Sequence, residues 1–96
     1  MAEFEAVRVE ADNTSAIGNN LEFFVITGSM EAPIVCLADN NGYPHVRDIY
    51  ARQREHSGHH GVHVSVRFEG PAQGNALAVN IAQPGMTGDY TVIPRA

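Results

Sequence analysis

A chain of 96 residues with 44% apolar and 18% charged side chains holds one folded domain around one modest core, which excludes a second domain and a disordered composition. Its formal net charge is −5 and no basic run occurs, so the electrostatic footprint of a nucleic-acid binder is missing. No apolar run approaches the ~18 residues of a membrane-spanning helix, and the start Met1-Ala2-Glu3-Phe4-Glu5 has neither the basic nor the apolar part of an export signal.

From the N-terminus, residues 5–11 set Val7, Val9 and Ala11 against Ala6, Arg8 and Glu10, the two-residue period of a half-buried strand. Residues 12–20 read as a polar loop. Residues 21–27 contain Phe23-Phe24-Val25-Ile26, apolar on both faces and rich in strand formers, and are expected to run through the centre of the core. Residues 34–38 repeat that character, and Asp39-Asn40-Asn41-Gly42 after them is a turn signal, because Asn and Gly tolerate the left-handed backbone of a tight connection.

Residues 44–55 admit two readings. As a helix, Pro44 lies in the first turn, Val46, Ile49, Tyr50 and Gln53 share a face, and Gly58 follows the end. As a strand, the segment forms a hairpin with residues 62–69 through a loop at 57–60, which sets Ile49 and Ala51 against Phe68 and Val66, Arg54 beside His63, and Arg52 beside Ser65. The strand is the preferred reading, since a hairpin suits its neighbours.

Residues 62–69 form the clearest strand, with Val62, Val64, Val66 and Phe68 inward and His63, Ser65, Arg67 and Glu69 outward. Leu77, Val79 and Ile81 alternate in a further strand, residues 90–93 make a last one, and Gly70-Pro71 and Pro84-Gly85 punctuate them. About six short strands separated by turns predict a single all-β domain over residues 1–96, a small antiparallel β-sandwich or barrel, with one short helix near 45–55 as the variant. Short strands leave open edges, so a homo-oligomer is expected.

Four of the five histidines lie within residues 56–63: His56, His59, His60 and His63. Imidazole is a common ligand of zinc and other divalent transition metals and titrates near neutral pH, which makes these four the candidate metal or pH-responsive site. Adjacent side chains such as His59 and His60 usually point apart, so two or three of the four at most would converge on one ion. All six basic residues are arginine, and because guanidinium groups pair carboxylates and phosphates in two-point fashion, Arg47, Arg52 and Arg54 are a candidate anion or interface patch, while Arg52, Arg54 and Arg67 with His63 on the outer face form a candidate interaction surface. Cys36, the single cysteine, cannot form an internal disulfide and is expected to be buried as a small hydrophobe. With no export signal it points to a cytoplasmic setting. Tyr43-Pro44 beside the Asn-rich turn offers groups also found in carbohydrate and calcium sites, but a plain hairpin turn is the preferred reading.

Two resemblances accompany these readings. Asn13-Thr14-Ser15-Ala16-Ile17-Gly18 is similar to the second motif of the PilZ domain, and Val64-Ser65-Val66-Arg67-Phe68 resembles that family's late strand. The resemblance implies a β-barrel that binds cyclic di-GMP. That family's paired arginines, four apart upstream of the motif, have no counterpart, since only Arg8 precedes it. His60, His63, Glu69 and Gly70 resemble the cupin metal motif in order but not in spacing. Along one straight strand His63 and Glu69 would stand about 20 Å apart, so those ligand roles are not carried over.

No phosphate loop, dinucleotide fingerprint or nucleophile elbow occurs. The expected function is a non-catalytic β module, without a cofactor, that binds a protein partner or itself. A divalent metal or pH-responsive module using the histidines is the first alternative, and a PilZ-like nucleotide binder the second.

Overall fold

The computed structural model describes residues 5–6 and 15–93. They form eight strands and no helix: β1 (Glu5–Ala6), β2 (Ser15–Ile17), β3 (Asn20–Ile26), β4 (Ile34–Asn41), β5 (Val46–His56), β6 (His59–Phe68), β7 (Ala76–Gln83) and β8 (Met86–Val92). Two four-stranded sheets, ordered β1-β8-β7-β4 and β2-β3-β6-β5, pack face to face. All pairings are antiparallel except the two-residue parallel contact of β1 with β8. The fold is a small β-sandwich. No helix is long and apolar enough to cross a membrane among the described residues.

The alternation in the sequence builds the core. Leu21, Phe23 and Val25 of β3 and Val62, Val64, Val66 and Phe68 of β6 face Leu77, Val79 and Ile81 of β7 and Val92 of β8, and all of them are essentially sealed from solvent. Tyr43 closes one end of the core by stacking on Phe68, with ring centroids 5.0 Å apart. It therefore belongs to the core packing, and burial raises the pKa of its hydroxyl.

Several expectations need correction. The segment read as a polar loop before residue 20 contains β2, paired with β3 through a tight turn at Gly18 and Asn19. The rest of the expected strand over 5–11 lies outside the described residues. Residues 46–56 form a strand, which overturns the helix variant: Val46, Ile49 and Ala51 pack against the core, whereas Tyr50, which the helix would place beside Ile49, is 59% exposed.

The β5–β6 hairpin also has a different register. Ser57 and Gly58 alone make the turn, with φ of 51° and 80°, so His56 pairs with His59. Two consecutive left-handed residues give the twist that joins two antiparallel strands most tightly. Arg52 then lies opposite His63 and Arg54 opposite Gly61, while Ile49 and Ala51 meet Val66 and Val64. The shift from the expected pairing is two residues on one strand, so every side chain keeps its face.

Cys36 is exposed. It pairs with Asn80 on β4, the outermost strand of its sheet, and faces away from the core, where Val35 and Leu37 alternate with it. The turn expected at residues 39–42 is partly strand, because β4 continues to Asn41 past a bulge between Leu37 and Asp39. Asn40 shapes the connection that follows. Its Oδ1 accepts from the Tyr43 N–H at 3.0 Å and its Nδ2 donates to the Pro44 carbonyl at 3.0 Å.

Candidate functional site

Pairing along β3, β6 and β5 arranges the outward side chains of this sheet in rows across it. Asn20, Arg67 and Asp48 form one row, Glu22, Ser65 and Tyr50 the next, then Phe24, His63 and Arg52. A recess of about 310 Å³ opens on this face, lined by Glu22, Tyr50, Ala51, Arg52, His63 and Ser65.

A hydrogen-bonded chain crosses the recess. Ser65 Oγ donates to Asn20 Oδ1 at 2.9 Å, and Asn20 Nδ2 donates to Glu22 Oε2 at 2.9 Å. The other Glu22 oxygen, Oε1, lies 3.1 Å from His63 Nε2. Each group fixes the next, so the imidazole is held by a carboxylate that is itself held by an amide. Arg67 closes one side of the face through a two-point ion pair with Asp48, at 3.2 and 3.3 Å. Among the described residues Arg52 and Arg54 have no ion-pair partner.

Arg52, Arg54, His63 and Arg67, the residues of the expected interaction surface, all project from this face. The four candidate metal ligands are divided. His56 and His59 face each other at the hairpin end, where His56 also lies 5.7 Å from the Phe24 ring centre, and His63 is farther along the same face. His60 points to the opposite face, its Nδ1 3.4 Å from Gln53 Nε2. Among the described residues no three histidine, cysteine or carboxylate side chains converge as a metal site. The cause is the period of a strand, which sends neighbouring residues to opposite faces.

Glu22 and Asn20 are the members of this site that sequence reasoning did not single out. Alternation along 21–27 marks Glu22 as outward, but nothing local indicates that β3 lies beside β6. His63 is held below the ordinary histidine pKa, first by burial and further by the Arg54 and Arg52 charges, while Glu22 opposes both. Folding therefore favours the neutral ring. The contribution of neutral His63 to stability is complete above the unfolded-state pKa of about 6.5 and is lost as pH falls from there through the lower folded-state value.

NMR titration should place the His63 pKa below that of a free histidine, with Glu22→Gln lowering it further and Arg52→Ala raising it. A His63 pKa above the free value would show that the carboxylate outweighs burial and the arginines. Chemically the arrangement holds a proton acceptor beside two cations. Ser65 donates to Asn20 rather than to His63, so the hydroxyl and the imidazole do not form a nucleophile–base pair.

No family model, curated protein or solved structure shows a significant match to this chain. The residues that resemble the PilZ motif fall at 13–18, of which 13 and 14 lie outside the described residues and 15–18 form β2 and its turn.

Proposed function

We propose that this β-sandwich is a non-catalytic module that associates through its open sheet edges, with a second copy of itself as the first partner. The observation that carries this reading is the position of β4 and β5. They are the outermost strands of the two sheets, and no described strand pairs with the free side of either. Only residues 42–45 join them, so both edges lie on one side of the sandwich.

Such an edge presents unpaired backbone donors and acceptors that another strand can complete. The apolar residues there are poorly covered: Ile34 and Leu37 of β4 are 69% and 40% exposed, and Tyr50 projects from the middle of β5. The exposed lone thiol of Cys36 fits a reducing, cytoplasmic compartment. The metal alternative draws at most on the His56 and His59 pair, and the cyclic di-GMP alternative on part of one motif.

Sedimentation velocity over a wide concentration range tests the proposal. A mass that rises to that of a dimer or larger assembly is expected. A strict monomer at millimolar concentration would remove self-association.

A further inference from the structure

We infer that the free edge of β5 pairs with β5 of a second copy, antiparallel and centred on Ala51, joining two four-stranded sheets into one of eight. This rests on the self-association proposed above and adds the surface and the register.

The argument comes from the order of residues along the edge, Asp48-Ile49-Tyr50-Ala51-Arg52-Gln53-Arg54. A two-fold axis through Ala51 sets Asp48 opposite the partner's Arg54, Tyr50 opposite the partner's Arg52, Ile49 opposite the partner's Gln53, and Ala51 opposite itself. Directly opposed residues of an antiparallel pair project from the same face. Asp48, Tyr50, Arg52 and Arg54 all project outward, as their pairing with Arg67, Ser65, His63 and Gly61 shows. Each carboxylate therefore meets a guanidinium, and each tyrosine ring meets a guanidinium that can stack on it. Symmetry makes every such pair occur twice.

Neighbouring registers match fewer of these groups. Centring on Arg52 opposes that charge to itself, and centring on Tyr50 keeps an Asp48–Arg52 pair but sets Tyr50 against itself and leaves Arg54 opposite Val46, across the bulge. A centre between two residues opposes outward side chains to inward ones. The bulge between Val46 and Asp48 breaks the regular strand just before the matched segment begins.

The pairing also accounts for two features of the single chain. Tyr50, 59% exposed at mid-strand, gains a neighbour, and Arg52 and Arg54, without ion-pair partners among the described residues, gain an aromatic face and a carboxylate. Because Tyr50 and Arg52 line the recess, the partner's Tyr50 would stand at its rim, and the two recesses would become one trough with a His63–Glu22 pair in each half.

The experiment uses the full chain, with sedimentation equilibrium on the wild type, Arg54→Glu, Asp48→Arg and an equimolar mixture of the two variants. Each variant alone sets like charges against each other at both ends of the pairing and should weaken dimerisation by about tenfold or more. In the mixed dimer both 48–54 pairs are again of opposite charge, so a heterodimer of near wild-type affinity is expected. Asp48→Arg also removes the Arg67 ion pair and places a second cation beside that residue, which weakens the fold itself, so a cross-link provides an independent measure. Opposed Cα atoms of an antiparallel pair lie about 4.5–5.5 Å apart, within disulfide range. With Cys36→Ser as background, Ala51→Cys should oxidise to a covalent dimer, whereas Gln53→Cys, four strand positions from its own copy, should not.

A wild-type dimer unaffected by Arg54→Glu and not cross-linked through position 51 would overturn this edge and register while leaving self-association standing. A wild type that stays monomeric at millimolar concentration would overturn both.

Discussion

Phe68→Ala should cost about 4 kcal/mol of folding stability, the middle of the range for truncating a sealed aromatic side chain. Phe68 is fully buried at the end of β6, where its ring stacks on Tyr43. Its backbone is held twice by Asn19: the N–H donates to the Asn19 carbonyl at 2.9 Å, and the carbonyl accepts from Asn19 Nδ2 at 3.1 Å. Truncation would leave a cavity that these fixed neighbours cannot collapse to fill, and Tyr43 would lose the ring that positions it. The loss is a large share of the roughly 5–15 kcal/mol by which a domain of this kind is stable. For a chain of this length it corresponds to a fall in melting temperature of roughly 15–30 °C. Phe68→Leu keeps most of the buried volume and should cost much less. Urea unfolding measures both, and a loss below about 1 kcal/mol for Phe68→Ala would mean that the ring is not packed as described.

The fate of Phe68 and its strand shows which features were legible in the sequence. Val62, Val64, Val66 and Phe68 alternate without interruption, and one buried face is all that such a period demands, so their inward direction follows from the chain alone. Leu21, Phe23 and Val25 are legible for the same reason. Phe24 made β3 look covered on both sides, and Phe24 is indeed buried while facing outward, but Ile26 at the end of the strand is half exposed. Cys36 is exposed because β4 lies at the edge of its sheet. An apolar run shows what a segment contains, not whether another strand lies beside it, and at the side of a sheet the same residues meet water.

The candidate site divides along the same line. The outward direction of Arg52, Arg54, His63 and Arg67 follows from local period and survived a two-residue error in pairing, because an even shift preserves the face. The position of His63 relative to Arg52 depended on turn length, and Ser57-Gly58 taken as a two-residue turn carried that information. The contact between His63 and Glu22 had no local signal. It exists because β3 and β6, distant in sequence, are neighbours in the sheet, and only tertiary structure brings a carboxylate and an imidazole together in that way.

Gly61→Ala adds a single methyl and should cost about 3 kcal/mol, at the top of the usual range for overpacking. Gly61 lies within β6 between Ile26 and Arg54, in a part of the sheet where β3 approaches very closely. A Cβ added there would fall on the backbone carbonyl of Val25 and within 2.8 Å of the end of the Phe24 ring. The carbonyl belongs to a paired strand and cannot yield, so relief requires β3 and β6 to separate. Separation would loosen Phe23 and Val25 on the inner face and His63 on the outer one. Phe24 fills the space that the missing side chain leaves, which accounts for its burial on the outward face of the sheet. Gly58→Asn is the matching control: it also removes a glycine of this hairpin, but nothing lies near the added group and Asn tolerates a φ of 80°, so its cost should stay below about 1 kcal/mol. Chemical denaturation of both variants, with the His63 titration repeated on Gly61→Ala, separates the two effects. Equal and small losses would show that β3 and β6 are farther apart at this point than the close approach requires. A large loss confined to Gly61→Ala, with His63 moving toward the pKa of a free histidine, is the expected result, since the burial that depresses that pKa depends on the same contact between the strands.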